Sequence, residues 1–323
     1  MANNTPFFSV VIPTHNRPHM LKKAIHSVLQ QTFSDYEIIV VNDGSVQSYH
    51  EVTREFSAYP VKFIELPTAG GVSAARNTGA SFATGDWLIF LDDDDVYSKR
   101  CLEERFLNLQ RNATAQTAFS WCNVKHWVVN DLGEETDSYY SNFLHCYPDD
   151  GELFAHAYRV GAGYGLAVKT EVFRQLNGFS EKYRVGEDTD LILRLIAQGY
   201  RPIINIGIGV IIVHHESEKL SKNMNNRSTF GVVDQLYADH ILLLNRYLPL
   251  KMSYLTWSAR THFDAGNVTQ GDSFFRLMVE MALADHQYMS WCKDIARYRN
   301  QLQAQCQNNA VAVLPTQVTG VCA

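Results

Sequence analysis

Apolar-rich runs near the start of the chain, at 7–12, 37–41, 61–66 and 87–91, predict strands. The fourth is apolar throughout, as a strand buried on both faces should be. Between them the period changes. Leu21, Ala24, Ile25, Val28 and Leu29 form one helical stripe within 20–31, and 49–58 reads as a second helix. Gly70-Gly71 opens a third through Ala74, Ala75, Ala80 and Ala83. Three strand–helix units in succession predict a parallel sheet with right-handed crossovers.

The middle of the chain reads differently. Residues 118–129 predict a strand by composition, followed by a polar stretch through 133–141. A short strand and a helix start follow at 169–176, closed by Gly178-Phe179. A helix over 187–198 turns Leu191, Leu193, Leu195 and Ile196 inward, and a last strand covers 203–213. From about residue 230 the pattern is helical. Tyr237, Tyr247, Trp257, Phe274, Phe275 and Trp291 in that region are expected in its core. The expected organisation is an α/β domain over 1–225, a helical region over 226–307 and a flexible tail over 308–323.

Composition narrows the function. The chain has 323 residues, 46% hydrophobic and 19% charged, as an ordinary globular protein does. A formal net charge of −6 gives no electrostatic case for nucleic acid. Cys101, Cys122, Cys146, Cys292, Cys306 and Cys322 are scattered without a C-x-x-C pair, so reduced, mostly buried thiols of a cytoplasmic protein are expected. No basic segment with a long apolar core opens the chain. The longest apolar run, 203–213, is interrupted by Asn205, Gly207 and Gly209 and is too short to cross a bilayer. The expectation is therefore no transmembrane segment, with a peripheral membrane contact left open.

The chemistry gathers at strand ends. The apolar strand 87–91 runs directly into Asp92, Asp93, Asp94 and Asp95. Four like charges there repel one another and resist desolvation, and a divalent cation carrying a phosphate relieves both costs. A calcium loop is a poor match, since Val96 and Tyr97 stand where an oxygen ligand and a glycine are needed. Open α/β sheets bind ligands at the carboxyl ends of their strands. At that end the first strand contributes Pro13, Thr14, His15, Asn16 and Arg17, and the second Asp43. Arg76 lies about one turn into the Gly70-Gly71 helix, whose N-terminus favours anions. Glu187, Asp188 and Asp190 begin one helix, and His214-His215 end the last strand. Singly, each of these has a plain structural explanation as a turn, a cap or a charge favoured by the helix dipole.

Together they resemble a family. Val10-Val11-Ile12-Pro13-Thr14-His15-Asn16-Arg17, Val40-Val41-Asn42-Asp43-Gly44-Ser45, Gly71-Val72-Ser73-Ala74-Ala75-Arg76-Asn77, Phe90-Leu91-Asp92-Asp93-Asp94-Asp95 and Gly186-Glu187-Asp188 occur in the order seen in family-two glycosyltransferases. The resemblance covers about residues 7–220. It implies the GT-A fold, a Rossmann-like, mostly parallel sheet with helices on both faces, followed here by a C-terminal helical region. The nucleotide-sugar half would span about 1–97 and the acceptor half about 98–225.

The family's roles carry over as follows. Pro13, Thr14, Asn16, Arg17, Asp43, Gly71, Arg76, Asp92 and Asp93 would surround the nucleotide sugar. Asp94 and His214, with His215 as the alternative, would bind Mn²⁺ or Mg²⁺. Asp188 would be the general base of an inverting transfer, and Glu187 would orient the acceptor. Ser217 and Ser221 would reach the diphosphate. Four identical aspartates leave their register open. The implied donor is a UDP-sugar and the implied acceptor a saccharide, lipid-linked or other hydroxyl, in cell-surface polysaccharide or glycan synthesis. A homodimer through the helical tail fits the same picture. Two alternatives stand beside it. A sugar-nucleotide nucleotidyltransferase would need a glycine-rich, basic loop after the first strand, which Thr14-His15-Asn16-Arg17-Pro18 does not supply. Against a non-catalytic sugar-binding module stand Asp94, Asp188 and His214.

Overall fold

The first apolar run becomes an interior strand of a nine-stranded sheet. Strand β1, Phe8–Thr14, is buried along its whole length. It pairs in parallel with β2 (Tyr36–Asn42) on one side and β4 (Trp87–Phe90) on the other, and β2 pairs in parallel with β3 (Val61–Glu65). The computed structural model describes residues 5–130, 132, 134–144, 146–215 and 226–312. Helices α1 (Pro18–Leu29), α2 (His50–Glu55) and α3 (Val72–Phe82) make the crossovers. Helix α1 starts on a proline, whose fixed φ suits a first turn, and buries Met20, Leu21, Ala24, Ile25 and Val28. β1 runs two residues beyond its expected end. Pro13 stands opposite Val41 where β4 has already stopped, a position at which a strand tolerates a missing N–H.

The second half adds β5 (Val96–Tyr97), α4 (Cys101–Asn112), β6 (Thr117–Val129), β7 (Glu135–Ser141), α5 (Asp150–Ala157), β8 (Ala167–Lys169), α6 (Thr170–Gln175), α7 (Glu187–Ala197) and β9 (Arg201–His215). The order across the sheet is β3-β2-β1-β4-β8-β6-β9-β5, with β7 paired to β6. Strands β1 to β4 are thus parallel to one another and the rest of the sheet is mixed: β8 runs antiparallel to β4 and β6, β5 antiparallel to β9, and β6 and β9 are parallel. β7 lies inside the stretch that reads as merely polar. It is largely exposed, so no apolar alternation marks it in the sequence. Helix α6 ends through two positive-φ residues, Asn177 and Gly178, and the Gly178 N–H returns to the Phe173 carbonyl at 2.9 Å. That turn sends Phe179 onto Phe90 and Phe173.

The chain divides into two units, Met1–Asn223 and Met224–Ala323. The second contains α8 (Asn226–Arg246), α9 (Leu248–Asp264), α10 (Val268–Ala284) and α11 (Met289–Ala312). Met252, Leu255, Ala259, Phe274, Met278 and Ile295 form its core, with Tyr237, Phe275 and Trp291 packed against it. Gly271 is required there, because a Cβ would come within 2.4 Å of the Phe263 ring. No described helix is long and apolar enough to cross a membrane. Of the cysteines, Cys101, Cys122 and Cys292 are buried thiols and Cys146 is exposed.

Candidate active site

Past β4 the aspartates alternate in exposure. Asp92 and Asp94 keep side chains 30% and 28% exposed, Asp93 is fully buried, and Asp95 is buried as well. Asp93 Oδ2 accepts a 2.6 Å hydrogen bond from Thr14 Oγ1, whose oxygen also lies 2.8 Å from the Tyr49 hydroxyl. Asp93 Oδ1 sits 2.5 Å from Arg17 Nη2, a close ion contact out of line for a hydrogen bond. Arg17 Nη1 donates to Asp94 Oδ2 at 2.6 Å. Asp95 Oδ1 accepts the Val213 N–H at 3.0 Å, tying the run to the end of β9.

A second arginine joins the two halves of the sheet. Arg76 is buried in α3 and donates to Asp92 Oδ1 and to Glu187 Oε1, both at 2.7 Å. Asp188, next to Glu187 in α7, accepts the Thr189 N–H at 2.7 Å and the Ala162 N–H at 3.2 Å. In the loop carrying Ala162, Gly161 has a steric reason: a Cβ there would lie 2.6 Å from Asp188 Oδ2. One on Gly163 would meet Asp95 Oδ2 and Asp92 Oδ2 at an ordinary 3.7 and 3.8 Å.

Electrostatics follow from this crowding. Burial pushes Asp93 up to about 7, although Arg17 and Thr14 pull it down. Burial raises Asp94, and burial with repulsion from Asp92 and Asp94 raises Asp95 further. Glu187 rises through burial and its neighbour Asp188, and Asp188 through burial. Burial lowers both arginines, yet the surrounding carboxylates more than offset it and hold them firmly charged. The cluster is short of positive charge.

Other expected residues shape loops. The Asp43 carboxylate accepts the Gly70 and Gly71 N–H groups at 2.7 and 2.8 Å, bracing the entry to α3, where Gly71 takes a φ of 91°. Asn16, at a φ of 56°, accepts the Val46 and Gln47 N–H groups at 2.9 and 3.2 Å. His214 Nε2 lies 2.9 Å from His126 Nδ1, while His126 Nε2 lies 2.8 Å from Ser141 Oγ and Tyr139 stacks over the His126 ring. His126 is lowered by burial and then by His214. Among the described residues no group of three His, Cys, Asp or Glu side chains is assembled for a metal. The His215 side chain, Ser217 and Ser221 lie outside the described residues. Sequence reasoning did not single out His126 or Tyr139; a lone histidine in an apolar strand was their only signal.

A model of glycosyl transferase family 2 matches residues 9–142, and one of glycosyl transferase family group 2 matches residues 87–284. The chain belongs to the family-two glycosyltransferases. An uncharacterized glycosyltransferase of Haemophilus influenzae is 29% identical over 220 residues, which cover 68% of this chain and 72% of that protein. Glycosyltransferase GlyA of Streptococcus pneumoniae is 25% identical over 329 residues, covering 95% of this chain but only 43% of GlyA. S. aureus TarS 1–349 in complex with UDP-GlcNAc superposes with a TM-score of 0.63 at 16% identity, covering 93% of this chain and 92% of TarS 1–349. Mannosyltransferase PcManGT of Pyrobaculum calidifontis, in complex with GDP-Man and Mn²⁺, gives 0.54 at 17% identity over 93% and 86% of the two chains. These likenesses establish the GT-A fold expected from the sequence.

In this family-two glycosyltransferase the donor set suits a hard divalent cation. Its atoms are carboxylate oxygens, and Asp92 and Asp94 keep partly exposed side chains that solvent can reach. A cavity of about 1200 Å³ lies elsewhere, lined by Arg100, Asn108, Arg111, Tyr147, Arg201 and Asn205. Glu104 and Asp149 are the carboxylates of that lining, against the four consecutive aspartates after β4.

Proposed function

We propose that the protein transfers a sugar, with inversion, from a nucleotide-diphosphate sugar to a hydroxyl acceptor, using Mn²⁺ or Mg²⁺. One observation carries the reading: Arg76 joins Asp92, at the donor end of the sheet, to Glu187, beside Asp188. That pairing supports a donor and an acceptor meeting at one point. Asp92 and Asp94, the partly exposed members of the run, would hold the metal and the donor. The cation, when bound, neutralises the diphosphate leaving group. Asp188, anchored by two backbone N–H groups and raised by burial, accepts the proton of the acceptor hydroxyl as its oxygen attacks the anomeric carbon. Glu187, fixed by Arg76, orients the acceptor. The complexes of TarS with UDP-GlcNAc and of PcManGT with GDP-Man and Mn²⁺ support a nucleotide-sugar donor and a divalent cation. We take UDP as the nucleotide and polysaccharide or glycan synthesis as the setting. The reading carries with it a cytoplasmic location, peripheral at the membrane for a lipid-linked acceptor, and assigns the helical unit a homodimer contact.

Thermal shifts with UDP, GDP and other nucleoside diphosphates, with and without Mn²⁺, test the proposal. A ligand at 100 times its dissociation constant adds about 2.7 kcal/mol. A uridine-selective, metal-dependent shift is expected, and no shift with any nucleotide would overturn the reading. Asp188→Asn should keep that shift while transfer falls by roughly 10²–10⁴-fold. Unaltered transfer would remove Asp188 from the base role.

A further inference from the structure

The two arginines of the site are held in different ways. Arg76 is buried and gripped from opposite sides by Asp92 and Glu187. Arg17 has its backbone fixed, since its N–H donates to the Tyr49 hydroxyl at 3.1 Å and Pro18 begins α1 immediately after it. Its side chain, however, is about a quarter exposed and lies across Asp93 and Asp94 from the solvent side. Of its two partners, Asp93 is fully buried and has Thr14 as a second partner, whereas Asp94 is 28% exposed. The guanidinium therefore rests on the carboxylate assigned above to the metal.

We propose that Arg17 is a built-in counter-ion that competes with the divalent cation for Asp94, so that cation and nucleoside diphosphate bind cooperatively. The inference rests on the assignment of Asp94 to the metal. A divalent cation arriving alone at Asp94 is brought within a few ångströms of a fixed positive charge and shares that charge's partner. Binding is correspondingly weakened. A nucleoside diphosphate changes the balance. Its phosphates offer the guanidinium a planar, two-oxygen partner of the kind arginine binds best, so Arg17 leaves Asp94 without losing an anion. Asp93 keeps its bond from Thr14 throughout. Arg76, held from both sides in the interior, has no such freedom.

Calorimetric titration of the full chain with MnCl₂ alone, UDP alone and each in the presence of the other tests this. By reciprocity each ligand should tighten the other by the same factor, about tenfold or more. Arg17→Gln should bind Mn²⁺ alone about tenfold tighter than wild type and show less coupling to UDP. Arg17→Lys, which keeps the charge and a partner for Asp93 but loses the two-carboxylate fork, should fall between them. Melting curves confirm that both variants are folded. Unchanged or weaker Mn²⁺ binding by both variants would overturn the proposal, since Arg17 would then orient Asp94 for the metal. Asp94→Asn separates the two levels: if it leaves Mn²⁺ affinity intact in the wild-type and Arg17→Gln backgrounds, the metal assignment of Asp94 is what has failed.

Discussion

Replacing Asp93 by asparagine isolates the electrostatic cost of the aspartate run. The Asp93 side chain has no exposed surface, and burial lifts its pKa from 3.8 to about 7 in spite of Arg17 and Thr14. The folded protein therefore keeps this proton to a higher pH than the unfolded chain does. The stability it contributes is complete below about pH 4 and is lost as pH rises through about 7. About three pKa units at about 1.4 kcal/mol each set a ceiling of about 4 kcal/mol. For a unit of this size, at about 2–4 °C per kcal/mol, that corresponds to a fall in Tm of roughly 10 °C. Asparagine does not titrate. Scanning calorimetry of both proteins in metal-free buffer, from about pH 4.5 to about pH 9, should show Asp93→Asn gaining on wild type as pH rises. Taking the difference cancels His126, whose lowered pKa acts in the opposite sense below about pH 6.5. A difference that stays flat across the range, or that shrinks with rising pH, would refute the reasoning.

The remaining predictions concern the pinned side chains. Arg76→Met leaves Glu187 buried without its cation and should cost about 3–5 kcal/mol in urea unfolding, the usual penalty for halving a buried ion pair. A loss below about 1 kcal/mol would place Arg76 among ordinary surface pairs. Gly161→Ala meets no backbone strain, because Gly161 has a φ of −91°, but its methyl must push Asp188 Oδ2 away from 2.6 Å. Its kcat should fall about tenfold or more with the donor KM little changed, since a base displaced by even an ångström loses its alignment. Equal losses in kcat and donor affinity would point to a collapsed loop.

The fold was legible wherever burial is continuous. Strands such as 7–12 and 87–91 announce themselves because both faces are covered, and α1 because its stripe repeats at the helical period. β7 was not legible, since an exposed edge strand has no apolar face to display. The ion pairs were hidden for another reason. Arg17 and Asp94 are 77 residues apart and Arg76 and Glu187 are 111 apart, so only the assembled sheet brings them together. The His126–His214 contact spans 88 residues, and nothing around His126 separates it from any half-buried histidine.

The sequence does not show which of these charges already have partners within the protein. An arginine at a helix entrance reads as an anion binder, and a carboxylate at a strand end reads as a partner for ribose or base. In the fold, Arg76 is committed to Asp92 and Glu187, and Asp43 to the amides of Gly70 and Gly71. A buried charge must be paired or it neutralises, so the most deeply buried members of such a cluster serve one another first. Those left for a ligand are the members that still touch water: Arg17, Asp92 and Asp94, with side chains 26%, 30% and 28% exposed. Four identical aspartates conceal their register, but the turn after β4 sends Asp93 and Asp95 inward and the other two outward. On that physical ground we assign the ligand to Asp92 and Asp94, and Asp92→Asn and Asp94→Asn should each weaken Mn²⁺·UDP binding more than Asp95→Asn does. Equal losses across the three would mean that exposure does not select the ligands.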